Sequence, residues 1–199
     1  MNPSKRNKVF KEKGVVKKTF VMGNINHEVY MYNQLKKHNI KTAQLIDVSN
    51  ETITMSTISG ETLLDIFIRH EQQKKDMQKY FTLWYIYMEK FHTALPTMIF
   101  DDVNFSNFIV SNNEIIAVDF ENVRIGNQQE DIATFICYGL FYNPILTTYK
   151  KQQLSTFFKE YYKGKTSEAL WYHYLDKALA NLNIRRNKQY KVDWSFLFD

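Results

Sequence analysis

Only one cysteine, Cys137, occurs in the 199 residues, so no internal disulfide can form. That excludes the disulfide-stapled secreted scaffolds and fits a reducing compartment. Cys137 lies in the apolar run IATFICYGLF, where a buried, inert thiol is expected. With three prolines and six glycines, the chain is neither collagen-like nor of low complexity. No window approaches the roughly 18 to 20 apolar residues that cross a bilayer. The basic start MNPSKRNKVFKEKG is followed by no apolar stretch of the signal-peptide kind. These absences point to a cytoplasmic protein with no membrane partner.

The remaining composition is that of a globular chain, with 44% hydrophobic and 24% charged residues. Aromatic residues reach 16%, which implies a core built on Phe and Tyr. The length suffices for one good core, or for two small lobes sharing a cleft. The formal charge of +5 gathers at the two ends, Lys5 to Lys18 and Arg185 to Lys191. It is compatible with an anionic partner such as a nucleotide or RNA. A solvated basic surface explains it equally well, and RRNKQYK reads most simply that way.

Hydrophobic periodicity divides the chain. KVFKE and VVKKTFV read as strands around a turn at Gly14. NINHEVYMYNQLKKHN repeats its apolar residues Val29, Tyr32 and Leu35 at helical spacing and carries Lys36, Lys37 and His38 at its C-terminal end. AQLIDV and ETITMST read as strands, and ETLLDIFIRH as a helix. A long amphipathic helix then runs from Asp76 until Pro96 stops it, with Tyr80, Trp84, Tyr87 and Phe91 as a core stripe. After the strands FIV and IIAVDF, the pattern is helical from Glu130 to the end, with breaks near Asn143-Pro144 and Gly164. Residues 1–58 thus form a strand-rich part with one helix. Residues 59–199 form a mostly helical part with a β-hairpin inside it.

The hairpin region, IFDDVNFSNFIVSNNEIIAVDFENV, is rich in Asp and Asn. Buried carboxylates are costly unless paired or holding a cation. Asn112 and Asn113 suit the turn itself. Asp102, Asn107 and Asp119 suit phosphoryl transfer. That chemistry needs a carboxylate beside the attacking hydroxyl, and oxygen ligands for a divalent metal that neutralises phosphates.

F-D-D-V-N-F-S-N followed by V-D-F-E resembles the catalytic loop and metal site of the protein-kinase-like superfamily. It looks most like the aminoglycoside and choline phosphotransferase branch, and also resembles the small RIO-type kinases and the tRNA threonylcarbamoylation-complex kinase. The resemblance covers roughly residues 8–160. It implies an α+β, bilobal kinase-like fold with a reduced N-terminal β lobe and a helical C-terminal lobe, and it implies ATP and Mg²⁺ as cofactors. Asp102 takes the place of the catalytic base, and Asn107 and Asp119 those of the metal ligands; Asp101 has the wrong spacing to Asn107. GVVKK resembles the strand with the phosphate-binding lysine, assigned to Lys17 with Lys18 as the alternative on the opposite face. Glu28 is its ion-pair partner. TITMSTISGETL resembles the hinge, placing the backbone of Met55, Ser56 and Thr57 against adenine. GNQQEDIATF resembles the downstream segment whose Asp, here Asp131, braces the loop.

Two departures stand out. Phe100 occupies the place of the family's His, and no G-x-G-x-x-G loop exists. The basic segment Lys5 to Lys13 is the candidate to cover the phosphates instead. His27 and His92 have no second ligand at a familiar metal spacing and read as helix-end residues. The implied activity is transfer of a γ-phosphoryl group to a hydroxyl, with a small-molecule acceptor favoured by D-F-E. The near alternative is a Ser/Thr protein kinase, or an ATPase of the RIO or tRNA-modification type. A non-catalytic pseudokinase is the alternative from another class. The missing glycine loop favours it, and the retained acidic set argues against it.

Overall fold

The computed structural model describes residues 7–21 and 23–199. Its N-terminal part is an antiparallel sheet of β1 (Asn7–Glu12), β2 (Val15–Phe20), β3 (Leu45–Val48) and β4 (Thr52–Ser56), in the order β1-β2-β4-β3. Helix α1 (Ile25–Lys37) intervenes after β2. Its first turn is capped by the Asn24 side chain, which accepts from His27 N–H. Strand β4 alternates, burying Ile53 and Met55 while Thr52, Thr54 and Ser56 are half-exposed. Register then places Val9, Lys18 and Ile53 on that inner face, and Phe10, Lys17 and Thr54 on the outer one.

The second part begins with β5 (Glu61–Thr62), α2 (Leu63–Gln73) and α3 (Gln78–Ala94). A two-residue strand, β6 (Met98–Ile99), leads through a 3-10 turn at Phe105–Asn107 into the hairpin β7 (Phe108–Ser111) and β8 (Glu114–Ala117). β5 adds to the hairpin as a third strand, and β6 pairs with β9 (Arg124–Ile125). An isolated parallel bridge between Thr42 and Ala117 joins the N-terminal part to the hairpin. The short strands β5, β6 and β9 carry too few residues for a readable period of two.

Three helices complete the chain: α4 (Gln128–Phe141), α5 (Thr148–Tyr161) and α6 (Glu168–Arg186). A capping box of Asn127 and Glu130 starts α4. The expectation of helix to the end is corrected beyond Arg186. Asn187 takes a left-handed conformation (φ 50°) that closes α6. The chain then runs back without regular structure to a 3-10 turn at Ser195–Leu197. Trp194 Nε1 donates to Asp176 Oδ1 at 2.9 Å, and Ser155 Oγ donates to Phe196 O at 2.7 Å, which dock this tail.

The core of the helical part is aromatic, as the composition implies. Phe135 of α4 stacks on Trp84 of α3 at 3.7 Å between centroids, and its other neighbours are Phe81, Phe105 and Phe157. Cys137 is buried and free, as expected. Phe135→Ala removes the ring around which four others pack, and should cost about 3–5 kcal/mol of unfolding free energy. Equilibrium urea unfolding measures it, and a loss below about 1 kcal/mol would contradict this account of the core.

Candidate functional site

On the inner face of the N-terminal sheet Lys18 is buried, with its side chain 6% exposed. Its Nζ lies 2.6 Å from Glu28 Oε2, 2.7 Å from Asp119 Oδ1 and 3.3 Å from Glu121 Oε2. Strand β2, helix α1 and the segment after β8 therefore meet at a single ammonium. Burial alone would lower the Lys18 pKa, but the charges of Glu28 and Asp119 more than reverse this and hold it raised. Burial pushes Glu28 up to about 7 against the pull of Lys18. Glu28 Oε1 is buried and has no hydrogen-bond partner among the described residues.

This placement corrects the assignment of Lys17. Lys17 points to the outer face, where its Nζ meets Glu12 Oε2 at 3.1 Å and both side chains are exposed. Successive strand residues face opposite sides, so one position decides which lysine enters the cleft. Glu28 is placed as expected, although its partner is Lys18.

Asp119 has a left-handed backbone (φ 68°), as does Asp101 (φ 64°). Such residues are sparse outside glycine and cluster where surroundings hold them for a purpose. Asn107 Oδ1 faces no donor among the described residues, because the amide is oriented by Nδ2, which donates to Asp102 O at 2.9 Å. Val118 N–H donates to Asn107 O at 2.9 Å, extending the β7–β8 ladder and tying Asn107 to the strand that delivers Asp119. Glu28, Asp119 and Glu121 bring carboxylate oxygens within 4.8 Å of one another. Carboxylate and amide oxygens form a hard donor set, which fits Mg²⁺ rather than zinc or copper.

The loop that carries Asp102 is braced from beneath. Asp131 is fully buried, and its Oδ2 and Oδ1 accept from the N–H groups of Phe100 and Asp101 at 2.8 and 2.9 Å. His92 Nε2 lies 2.9 Å from Asp131 Oδ2, so His92 is a partner of this brace rather than only a packed helix-end residue. Phe100, in the place of a His, packs against Phe91, Phe108 and Phe120. Phe120 in turn meets Tyr32 of α1 edge-on at 4.9 Å between centroids. His27 Nε2 reaches Val123 O at 2.7 Å, a second tie from α1 to this segment.

Asp101 and Asp102 diverge. Asp101 Oδ1 accepts from Arg124 Nη2 at 2.7 Å. Asp102 faces the helical part, where its Oδ1 accepts from Tyr138 OH at 3.0 Å. Burial raises the Asp102 pKa, against the hydrogen bond from Tyr138 and the charge of Arg185. Tyr138 and Arg185 lie far along the chain from the hairpin, and no motif or spacing announces them.

The hinge expectation is narrowed. Met55 is buried opposite Val16. The N–H of Ser56 donates to Gln44 O at 2.9 Å and that of Thr57 to Gly14 O at 3.0 Å. Neither donor remains for a ligand. Val9 is a residue that sequence reasoning passed over. It lies beside Lys18 on the inner face and is 57% exposed, an apolar surface open to the cleft. Of the basic N-terminal segment, Lys5 lies outside the described residues, whereas Lys8, Lys11 and Lys13 are exposed. Asn7 Nδ2 donates to Glu121 Oε2 at 2.5 Å, so β1 begins beside the acidic cluster.

The architecture matches several solved structures. A choline/ethanolamine kinase family protein from Mesorhizobium loti superposes with a TM-score of 0.55 at 11% identity, over 97% of this chain and 82% of that one. The kinase-like phosphotransferase fold is the fold of this chain. Choline kinase LicA from Streptococcus pneumoniae has a TM-score of 0.52 at 14% identity, over 94% and 84% of the two chains. Amicoumacin kinase hAmiN, in complex with AMP-PNP, Ca²⁺ and Ami, has a TM-score of 0.56 at 11% identity, over 98% and 85%. No protein-family model and no curated protein matches the sequence. Against the kinase-like fold, the strand-rich and helical parts are the two lobes, and the acidic cluster and Asp102 lie where those lobes meet.

Lys18→Met leaves Glu28 buried without its counter-ion and should cost about 3–5 kcal/mol near neutral pH. The deficit should shrink toward pH 5. Glu28, raised above its unfolded value, takes up a proton at less cost as pH falls. Lys17→Met should change stability little, because its pair is exposed. Urea unfolding of both variants at two pH values decides the matter, and equal losses would undo the assignment to Lys18.

Proposed function

We infer that this chain is an ATP- and Mg²⁺-dependent phosphotransferase that moves the γ-phosphoryl group to a hydroxyl of a small molecule. The observation that carries the reading is the convergence of Lys18, Glu28 and Asp119 beside the Asp102–Asn107 loop, in a kinase-like fold. The fold neighbours support it, being kinases named for choline and for amicoumacin, the last in complex with AMP-PNP and Ca²⁺.

Each residue then has a role that its surroundings permit. Lys18, held by Glu28, offers a positive charge to phosphate oxygens. Asp119 and Asn107 offer oxygen ligands to Mg²⁺, with Glu121 beside them. Bound Mg²⁺ neutralises phosphate charge and aligns the chain of phosphates. Asp102 accepts a hydrogen bond from the acceptor hydroxyl, orients it and takes its proton. Val9 and Val16 provide an apolar ceiling for the base. Because the donors of Ser56 and Thr57 are engaged, the adenine edge is read further along, at residues 58–60. The two parts, 1–58 and 59–199, serve as the nucleotide-facing and acceptor-facing lobes.

ATP with Mg²⁺ should raise the melting temperature of the wild-type protein, and ATP with EDTA should raise it much less, since a ligand of the folded state stabilises as ln(1 + [L]/Kd). Asp119→Ala should abolish the Mg²⁺-dependent part of the shift. A wild-type protein that shows no shift with ATP and Mg²⁺ would favour the pseudokinase reading.

Asp102→Asn keeps size and hydrogen bonding but removes the proton acceptor. Turnover should fall by about 10² or more, while ATP affinity stays close to wild type. Steady-state kinetics beside a binding titration checks this, and a larger effect of Asp101→Asn would move the base by one residue.

A further inference from the structure

Two phenols grip the loop that carries Asp102. Tyr138 of α4 donates to Asp102 Oδ1 at 3.0 Å. Tyr142, one turn further on, accepts from Phe105 N–H at 2.9 Å and donates to Asn104 Oδ1 at 3.0 Å. The two rings run nearly parallel, with 17° between their planes. The backbone at Asp102 has its own anchor, since Asp102 O accepts from Asn107 Nδ2 at 2.9 Å. The loop is therefore fixed without Tyr138, and what Tyr138 holds is the Asp102 carboxylate.

A third group sets the direction of that hydrogen bond. Arg185, near the end of α6, places Nη1 2.6 Å from Tyr138 OH. A guanidinium can only donate, so the phenol oxygen must accept from it, and its single proton is left for Asp102 Oδ1. Donation into the phenol oxygen also strengthens the bond that the phenol makes in turn. The direct approaches of Arg185 to Asp102 Oδ1 and Asp101 Oδ2, 3.8 and 3.9 Å, are longer than hydrogen bonds. Burial, with the charge of Asp102 beside it, raises the Tyr138 pKa, so the hydroxyl keeps its proton and is not itself a base. Asp102 Oδ2 is different. It takes no hydrogen bond from a described residue, and the side chain is 23% exposed. One carboxylate oxygen is engaged and the other is open.

We propose that Tyr138 is the positioning residue of the reaction: its hydroxyl, turned by Arg185, holds Asp102 Oδ1 and so presents Oδ2 to the acceptor hydroxyl. This rests on the phosphotransferase reading and names the groups that orient its base. The terminal torsion of an Asp side chain is broad and two-fold, so an unheld carboxylate would spend much of its time turned away. As the acceptor oxygen bonds to the γ-phosphorus and the bond to the ADP oxygen breaks, the acceptor's proton passes to Oδ2. Tyr138 keeps its own.

The test uses hydrolysis of ATP with Mg²⁺, in which water is the acceptor. Tyr138→Phe keeps the ring and removes the hydroxyl. It should lower kcat by about tenfold or more, the value of one hydrogen bond to a charged group, with the KM for ATP near wild type. Arg185→Gln should lower kcat too, because a Gln oxygen can take the phenol's proton and turn it from Asp102. Arg185→Lys, still only a donor, should retain most of the activity. Double variants separate positioning from general damage. In Asp102→Asn, adding Tyr138→Phe should change kcat by less than about twofold, and in Tyr138→Phe, adding Arg185→Gln should do the same. The proposal is overturned if Tyr138→Phe turns over like wild type, or if it costs as much in Asp102→Asn as in the wild-type protein. It is also overturned if Arg185→Gln keeps its full effect without the phenol. A wild-type protein that neither binds nor hydrolyses ATP with Mg²⁺ would instead bring down the phosphotransferase reading, and this role with it.

Discussion

One buried ammonium organises the cleft. Lys18 is the point at which the sheet, the first helix and the segment after the hairpin are held together, through Glu28 and Asp119. A buried ion pair is an inefficient way to gain stability, since desolvation offsets most of the attraction. Breaking it is costly, however, because the surviving charge has no water to replace its partner. The arrangement therefore fixes geometry more than it adds stability. Sheet and hairpin cannot separate far without exposing Glu28 or stranding Asp119. The aromatic pair of Tyr32 and Phe120 reinforces the same junction from the apolar side.

A second buried carboxylate does comparable work below the loop that carries Asp102. Asp131 satisfies two consecutive backbone donors, those of Phe100 and Asp101, and is itself met by His92. Three elements far apart in the chain thus hold a short loop in a conformation that includes left-handed Asp101. Phe100, at the position the resemblance gives to a histidine, has its ring clamped among Phe91, Phe108 and Phe120. Packing of an apolar ring replaces a hydrogen bond at little cost when no polar atom is left unpaired.

The two sides of Asp102 differ in a way that suits its proposed task. Toward the sheet are the carboxylates of Glu28, Asp119 and Glu121, gathered round the ammonium of Lys18. Toward α4 and α6 they are the phenol of Tyr138, which donates to Asp102, and the guanidinium of Arg185, within 4 Å of both Asp101 and Asp102. The carboxylate of Asp102 stands between the two fields, with burial raising its proton affinity.

The D-x-x-x-x-N and D-F-E spacing, the long helix before them and the downstream Asp131 were legible in the sequence, because each is a local pattern with its own chemistry. From them follow the kinase-like fold and the grouping of Asp102, Asn107 and Asp119. The aromatic core was legible as well, from composition and helical spacing. The choice between Lys17 and Lys18 was not, because adjacent strand residues differ only in which face they present, and the face is set by how β2 pairs with β4 and covers α1. Nor were the engaged donors of Ser56 and Thr57, whose partners Gln44 and Gly14 are supplied by tertiary contact. Tyr138 and Arg185 reach Asp102 only because α4 and α6 pack beneath the loop, 36 and 83 positions away along the chain. Local sequence determines which chemistry is present. The pairing of distant elements decides which side chains face it, because orientation is a property of packing rather than of spacing.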